Sequence, residues 1–86
     1  MKSNSKSLRK KNARELLAFS LRVLRAERAM TKEQLANLAG IDRGYVGQIE
    51  SMTRAVSIDI IDRLAIALEV PVARLFLEQE IHHSVA

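Results

Sequence analysis

In the stretch GIDRGYVGQIES, residues 40–51, Arg43, Gly44, Gly47, Gln48 and Ser51 stand at i, i+1, i+4, i+5 and i+8. That spacing places them on one face of a helix whose opposite face carries Val46 and Ile49. Arginine and glutamine are the side chains that make paired hydrogen bonds to the edges of guanine and adenine, respectively. Gly44 and Gly47 set no side chain between them, although a glycine inside a helix costs about 1 kcal/mol relative to alanine. The cost has a use if the backbone must come close to a base edge or a phosphate. A blander account makes Gly44 a tolerated first-turn glycine and Gly47 room for a neighbouring side chain, but it assigns no role to Arg43 and Gln48.

The elements that must position this face are legible from periodicity and capping. Leu17, Leu21 and Leu24 recur at i, i+4 and i+7, which predicts a first helix over residues 12–28 with Arg14, Arg22, Arg25 and Arg28 on other faces. Thr31 and Gln34 have capping-box spacing and open a second helix that turns Leu35, Ala36 and Ala39 inward. Gly40 ends it, because a left-handed residue after a helix is least costly as glycine. Asp42 is the expected N-cap of a third helix, RGYVGQIES, and Ser57 that of a fourth, with Asp59 in its first turn and Ile58, Ile61, Leu64, Ala65 and Leu68 facing the core. Pro71 suits the first turn of a fifth, VARLFL. The expected fold is all-α: a compact five-helix domain over residues 12–77, with a helix-turn-helix at helices two and three. A basic arm (residues 1–11) precedes it and a short tail (residues 78–86) follows.

Composition narrows the function. The 86 residues suit one small domain, and with 48% hydrophobic but only 3% aromatic residues the core must be aliphatic. There is no cysteine, hence neither disulfide nor thiolate metal site, and the longest fully apolar run, Leu64–Leu68, is far too short to span a bilayer. Lys2, Lys6, Arg9, Lys10 and Lys11 crowd the first eleven residues, whereas residues 55–86 carry a net charge of −3. A basic first half and a pI near 10.0 fit a polyanionic partner. Catalysis is the poorest fit: His82 and His83 have no carboxylate or cysteine at ligand spacing, and Ser20 has no base near it in the sequence. Neither cofactor nor metal is expected.

Two helices joined by a tight glycine turn are the arrangement that sets its second helix in the DNA major groove. Through LRVLRAERAMTKEQLANLAGIDRGYVGQIES and SIDIIDRLAIALEVPVARLF, the chain resembles the phage repressor and Cro type of helix-turn-helix domain, the Xre family. IDRGYVGQIE is particularly similar to the small controller proteins of restriction-modification systems. The resemblance implies a cytoplasmic, nucleoid-associated regulator of bacterial or phage origin. It would bind a two-fold operator as a homodimer without a small-molecule effector, with RNA polymerase as a further candidate partner.

Carried onto this sequence, the family's major-groove positions fall on Arg43, Gly44, Gly47 and Gln48. Lys32, Tyr45, Arg54, Arg22 and Arg25 fall at backbone-contacting positions, and Arg25 with Glu50 matches a family ion pair between the first and third helices. Lys32 replaces a customary glutamine and Met52 a customary glycine. Val72, Leu75, Phe76, Leu77 and Ile81 exceed what a five-helix core needs and imply a dimer interface. The alternative is a protein-interaction module on the same fold, such as an antitoxin, although only nine residues follow Leu77 to hold a toxin. Deleting residues 2–11 should flatten the salt dependence of DNA binding measured by fluorescence anisotropy, and an unchanged slope would exclude the arm from the contact.

Overall fold

The computed structural model describes residues 11 to 78, so the arm and the tail, save Lys11 and Glu78, lie outside the described residues. Four α-helices follow one another, α1 (Ala13–Glu27), α2 (Lys32–Ala39), α3 (Tyr45–Glu50) and α4 (Ile58–Leu68), and a 3-10 helix (Val72–Phe76) completes the chain. No strand occurs among the described residues.

The starts obey side-chain capping. Thr31 and Gln34 form the reciprocal box at the head of α2, with hydrogen bonds of 3.0 and 2.8 Å. Asn12 and Glu15 form a second box ahead of α1, at 3.0 and 2.9 Å, which the apolar periodicity of that helix did not announce. The Ser57 hydroxyl accepts from the Ile60 amide at the head of α4. Asp42 acts earlier than expected. It closes a turn, its carbonyl accepting from the Tyr45 amide and its carboxylate from the Gly44 amide, and the helix itself begins only at Tyr45 with Gly44 as its N-cap.

The ends share one device. After each α-helix the chain reverses through a residue at positive φ, Ala29 at 51°, Gly40 at 70°, Met52 at 60° and Glu69 at 59°. Each reversal carries the paired hydrogen bonds of a Schellman motif, such as Thr53 amide to Gln48 carbonyl and Met52 amide to Ile49 carbonyl after α3. Only Gly40 advertises this in the sequence.

Expectation and structure part at the fifth helix, which is not an α-helix. Pro71 precedes it in an extended conformation and Leu77 follows in another, leaving five residues, and the Arg74 amide bonds to the Pro71 carbonyl three residues back. So short a segment does not recover the cost of α-nucleation and takes the tighter 3-10 form.

The core is aliphatic: Leu17, Leu21 and Leu24 of α1, Leu35 and Ala36 of α2, Val46 and Ile49 of α3, Leu64, Ala65 and Leu68 of α4, and Leu75. α1 packs on α3 and on the 3-10 helix, and α2 packs between α3 and α4. Ile58 departs from its expected core position and is 76% exposed, because at the start of α4 it is Ile60 and Ile61 that turn toward the core and pack against it.

A non-glycine residue in the left-handed region carries a penalty of about 1 kcal/mol or more. Ala29→Gly and Met52→Gly should therefore each raise stability by about 0.5–1 kcal/mol, seen as a melting temperature several degrees higher in thermal denaturation.

Candidate nucleic-acid interface

The turn between α2 and α3 depends on Gly40, whose left-handed backbone redirects the chain. Arg63 of α4 reaches across to the Ala39 and Gly40 carbonyls at 3.5 and 3.4 Å, satisfying acceptors that a helix end leaves open. Beyond the turn, α3 has only six residues and cannot stand alone. It is held by what it buries: Val46 and Ile49 enter the core, Tyr45 is 9% exposed, and Glu50 is 6% exposed.

Glu50 is the charged anchor. Arg25 of α1 grips its carboxylate with two parallel hydrogen bonds, Nε to Oε2 at 2.8 Å and Nη2 to Oε1 at 2.9 Å, and donates Nη1 to the Met30 carbonyl. Arg22, one turn earlier, donates to the Glu50 backbone carbonyl at 2.7 Å. The ion pair therefore joins α1 to α3 by both the side chain and the C-terminal end of the short helix, where positive charge also offsets the helix dipole. Hydrogen bonding to the Glu50 carboxylate, with Arg25 as donor, outweighs the opposing effect of burial and raises the pKa of Arg25. Among the described residues no buried side-chain polar atom lacks a partner.

This anchoring orients the outward face. Arg43, Gly44 and Gln48 are exposed, and Gly47 is half-covered. Neither glycine is imposed by the fold: both have negative φ, and an added Cβ would meet only Asp42 at 3.9 Å (Gly44) or the Lys32 side chain at 3.7 Å (Gly47), both ordinary contacts. Lys32, from the start of α2, thus lies across Gly47. Arg43 shares a shallow cleft with Glu33, Asn37 and Ile41.

At the far end of α3, Met52 turns the chain so that Arg54 folds back over the helix. Its guanidinium lies 3.9 Å from the centre of the Tyr45 ring, and its Nη1 donates to Gln48 Oε1 at 3.0 Å. The Tyr45 hydroxyl donates to the Ala55 carbonyl. These three side chains form one array that spacing did not disclose, since its members are separated by three and six residues and meet only after the reversal.

Two of the residues expected at backbone-contacting positions are also engaged within the protein. Tyr45 lies under the Arg54 guanidinium with its hydroxyl on the Ala55 carbonyl, and Arg25 spends three of its five donors inside the protein. The Arg22 side chain is 52% exposed, and Lys32 and Arg54 are exposed. The expected dimer residues divide. Leu75 is wholly buried and belongs to the core, Phe76 is half-buried against it, Val72 and Leu77 are exposed, and Ile81 lies outside the described residues. Lys11 places its ammonium 5.3 Å from the centre of the Phe19 ring, while Lys2, Lys6, Arg9, Lys10, His82 and His83 also lie outside the described residues. Among the described residues there is no cluster of three or more potential metal ligands and no helix long and apolar enough to cross a membrane.

Truncating one member of a sheltered ion pair leaves the other desolvated and unsatisfied. Glu50→Ala should cost about 2–4 kcal/mol in chemical denaturation, less than a fully buried pair because Arg25 keeps its bond to Met30. A loss below about 1 kcal/mol would mean that the apolar contacts alone hold α3.

The helix-turn-helix family HTH_3 matches residues 21–75. The chain is 33% identical over 64 residues to a hypothetical transcription factor of Neisseria meningitidis, covering 74% of this chain and 60% of the length of that relative. The crystal structure of that factor superposes with a TM-score of 0.74, over 77% of this chain and 76% of that one. The restriction-modification controller protein C.AhdI of Aeromonas hydrophila is 40% identical, with a TM-score of 0.70, covering 73% of this chain and 96% of that one. The controller protein C.Esp1396I, solved as a tetramer on its natural 35 base-pair operator, is 28% identical with a TM-score of 0.68, over 78% and 88% of the two chains. These relatives are a transcription factor and controller proteins, not enzymes. With a family match that takes in all of α2 to α4, an α2–turn–α3 unit anchored by Glu50, and an exposed face of Arg43, Gly44 and Gln48, the chain belongs to the Xre-type helix-turn-helix family of DNA-binding transcription regulators.

Proposed function

We propose that this protein is a sequence-specific regulator that binds a two-fold symmetric operator as a homodimer, each protomer placing α3 in the major groove, in the manner of a restriction-modification controller or a phage-type repressor. The observation that carries the reading is the fixed attachment of α3. The Glu50 grip sets the roll of that helix so that Arg43, Gly44 and Gln48 face away from the core. Arg43 and Gln48 supply base readout, and the open backbone at Gly44 and Gly47 lets the helix approach closely. Lys32, Arg54 and Arg22 flank that face and serve as phosphate contacts, which position the protein without reading sequence.

One such unit reads only a few base pairs, so two copies on half-sites about 34 Å apart, or a similar two-fold arrangement, supply the specificity. The exposed Val72 and Leu77, with Phe76 beside them, provide the apolar surface for an isologous contact through the 3-10 helix. C.Esp1396I on its operator is the relative that supports an oligomer on DNA. In this reading the protein acts in the cytoplasm on the nucleoid, and its concentration and operator affinity set the response without a small-molecule effector. RNA polymerase is the further partner.

Selection from a random double-stranded DNA library at physiological salt tests the proposal. A two-fold symmetric motif is expected; binding without a motif would leave a nonspecific coater of DNA, and no binding would point to a protein partner. Arg43→Ala should cost about 1–3 kcal/mol and relax preference at one base pair of each half-site. Gly47→Ala should stabilise the protein by about 0.5–1 kcal/mol in thermal denaturation while weakening operator binding. A gain in both would remove the close-approach role from that glycine.

A further inference from the structure

Gln48 is not free to read DNA in the way an isolated glutamine does. Its Oε1 accepts from Arg54 Nη1 at 3.0 Å, and a guanidinium carries only donors, so the amide can face Arg54 only with its carbonyl. Arg54 is itself held in place by its stacking on the Tyr45 ring, which is nearly buried and has its hydroxyl committed to the Ala55 carbonyl. The intervening loop is fixed too. The Thr53 amide and the Thr53 and Ser51 hydroxyls all donate to the Gln48 backbone carbonyl, and Met52 takes the left-handed conformation that turns Arg54 back over α3.

A glutamine reads adenine with one acceptor and one donor, Oε1 taking the N6 amino group and Nε2 giving to N7. Here one lone pair of the acceptor is already engaged and the carbonyl is held toward Arg54, whereas the Nε2 amino group carries no bond to Arg54. From this we infer that Arg54 is a specificity-positioning residue: by drawing the Gln48 carbonyl toward itself it turns the Nε2 donor to the base edge, which favours guanine, whose O6 and N7 are both acceptors, over adenine, whose N6 amino group needs the carbonyl that Arg54 holds aside. The inference deepens the DNA-binding reading above and rests on it. It also changes the role of Arg54, which governs sequence choice through Gln48 in addition to any phosphate it meets with its remaining donors.

The test is selection from the random DNA library with the full chain and with Gln48→Ala and Arg54→Met, each checked for native helicity by circular dichroism. Methionine keeps a hydrocarbon stem over the Tyr45 ring but has no donor for Gln48. The position whose preference flattens in Gln48→Ala identifies the base pair that Gln48 reads, and the unsubstituted protein should select guanine there. In Arg54→Met the preference at that position should move toward adenine by about tenfold relative to guanine, with the rest of the motif retained. Adenine in the unsubstituted selection overturns the inference whether or not Arg54→Met folds. So does an Arg54→Met protein that binds every sequence more weakly with unchanged preferences, or a Gln48→Ala protein that flattens no position. These outcomes leave the regulator reading standing. Absence of any motif for the unsubstituted protein overturns both.

Discussion

A carboxylate nearly out of water, at the last residue of the shortest α-helix, is the constraint on which the rest of the molecule turns. Apolar burial of Val46 and Ile49 would keep α3 attached, but hydrophobic contact is non-directional and leaves the helix free to roll about its own axis. The two parallel bonds from Arg25 to Glu50, with the Arg22 bond to the Glu50 carbonyl, remove that freedom. An apolar pair in the same place could be as stabilising, since burying charge is costly. Its advantage lies in orientation. With the roll of α3 set, Arg43, Gly44 and Gln48 have one direction to face, and it is away from α1.

The outward face is bought with local instability. Gly44 and Gly47 are required by neither backbone angle nor space, and Met52 and Ala29 sit in a conformation that glycine would take more readily. Small domains have little stability to lose, so departures of this kind concentrate where function gains from them. At Gly47 the bare backbone stays open to close approach, with the Lys32 side chain alongside it. At Met52 the reversal itself matters, because it carries Arg54 back onto the Tyr45 ring and Gln48. No comparable role attaches to Ala29.

Charge follows the same division of labour. Lys32, Arg43, Arg54 and Arg22 come from four separate segments, yet all border α3 or its attachment to α1. The net negative charge is confined to residues 55–86, which contribute α4 and the 3-10 helix. A chain polarised in this way favours approach of a polyanion by its basic part. The apolar side chains left exposed at Val72 and Leu77 belong to the other part, so the surfaces proposed for DNA and for a second copy do not compete for the same residues.

By itself the sequence determined the all-α class, the four α-helices in their order, the Gly40 turn, the Thr31 and Ser57 caps and the aliphatic core, because these rest on interactions between residues at most a few positions apart. The Arg25–Glu50 pair was legible only through family resemblance, since no local pattern links two residues 25 positions apart. Tertiary structure decided the remainder. It made the last helix 3-10, since chain directions on either side of five residues limit their form, and it took Leu75 into the core while exposing Ile58, since burial depends on what lies opposite a side chain. It placed Ala29, Met52 and Glu69 in left-handed reversals, where Schellman hydrogen bonds override the residues' own preference. It also brought Tyr45, Gln48 and Arg54 together: stacking and donor–acceptor geometry exist only once the chain has turned back on itself, and periodicity along one helix carries no record of that turn.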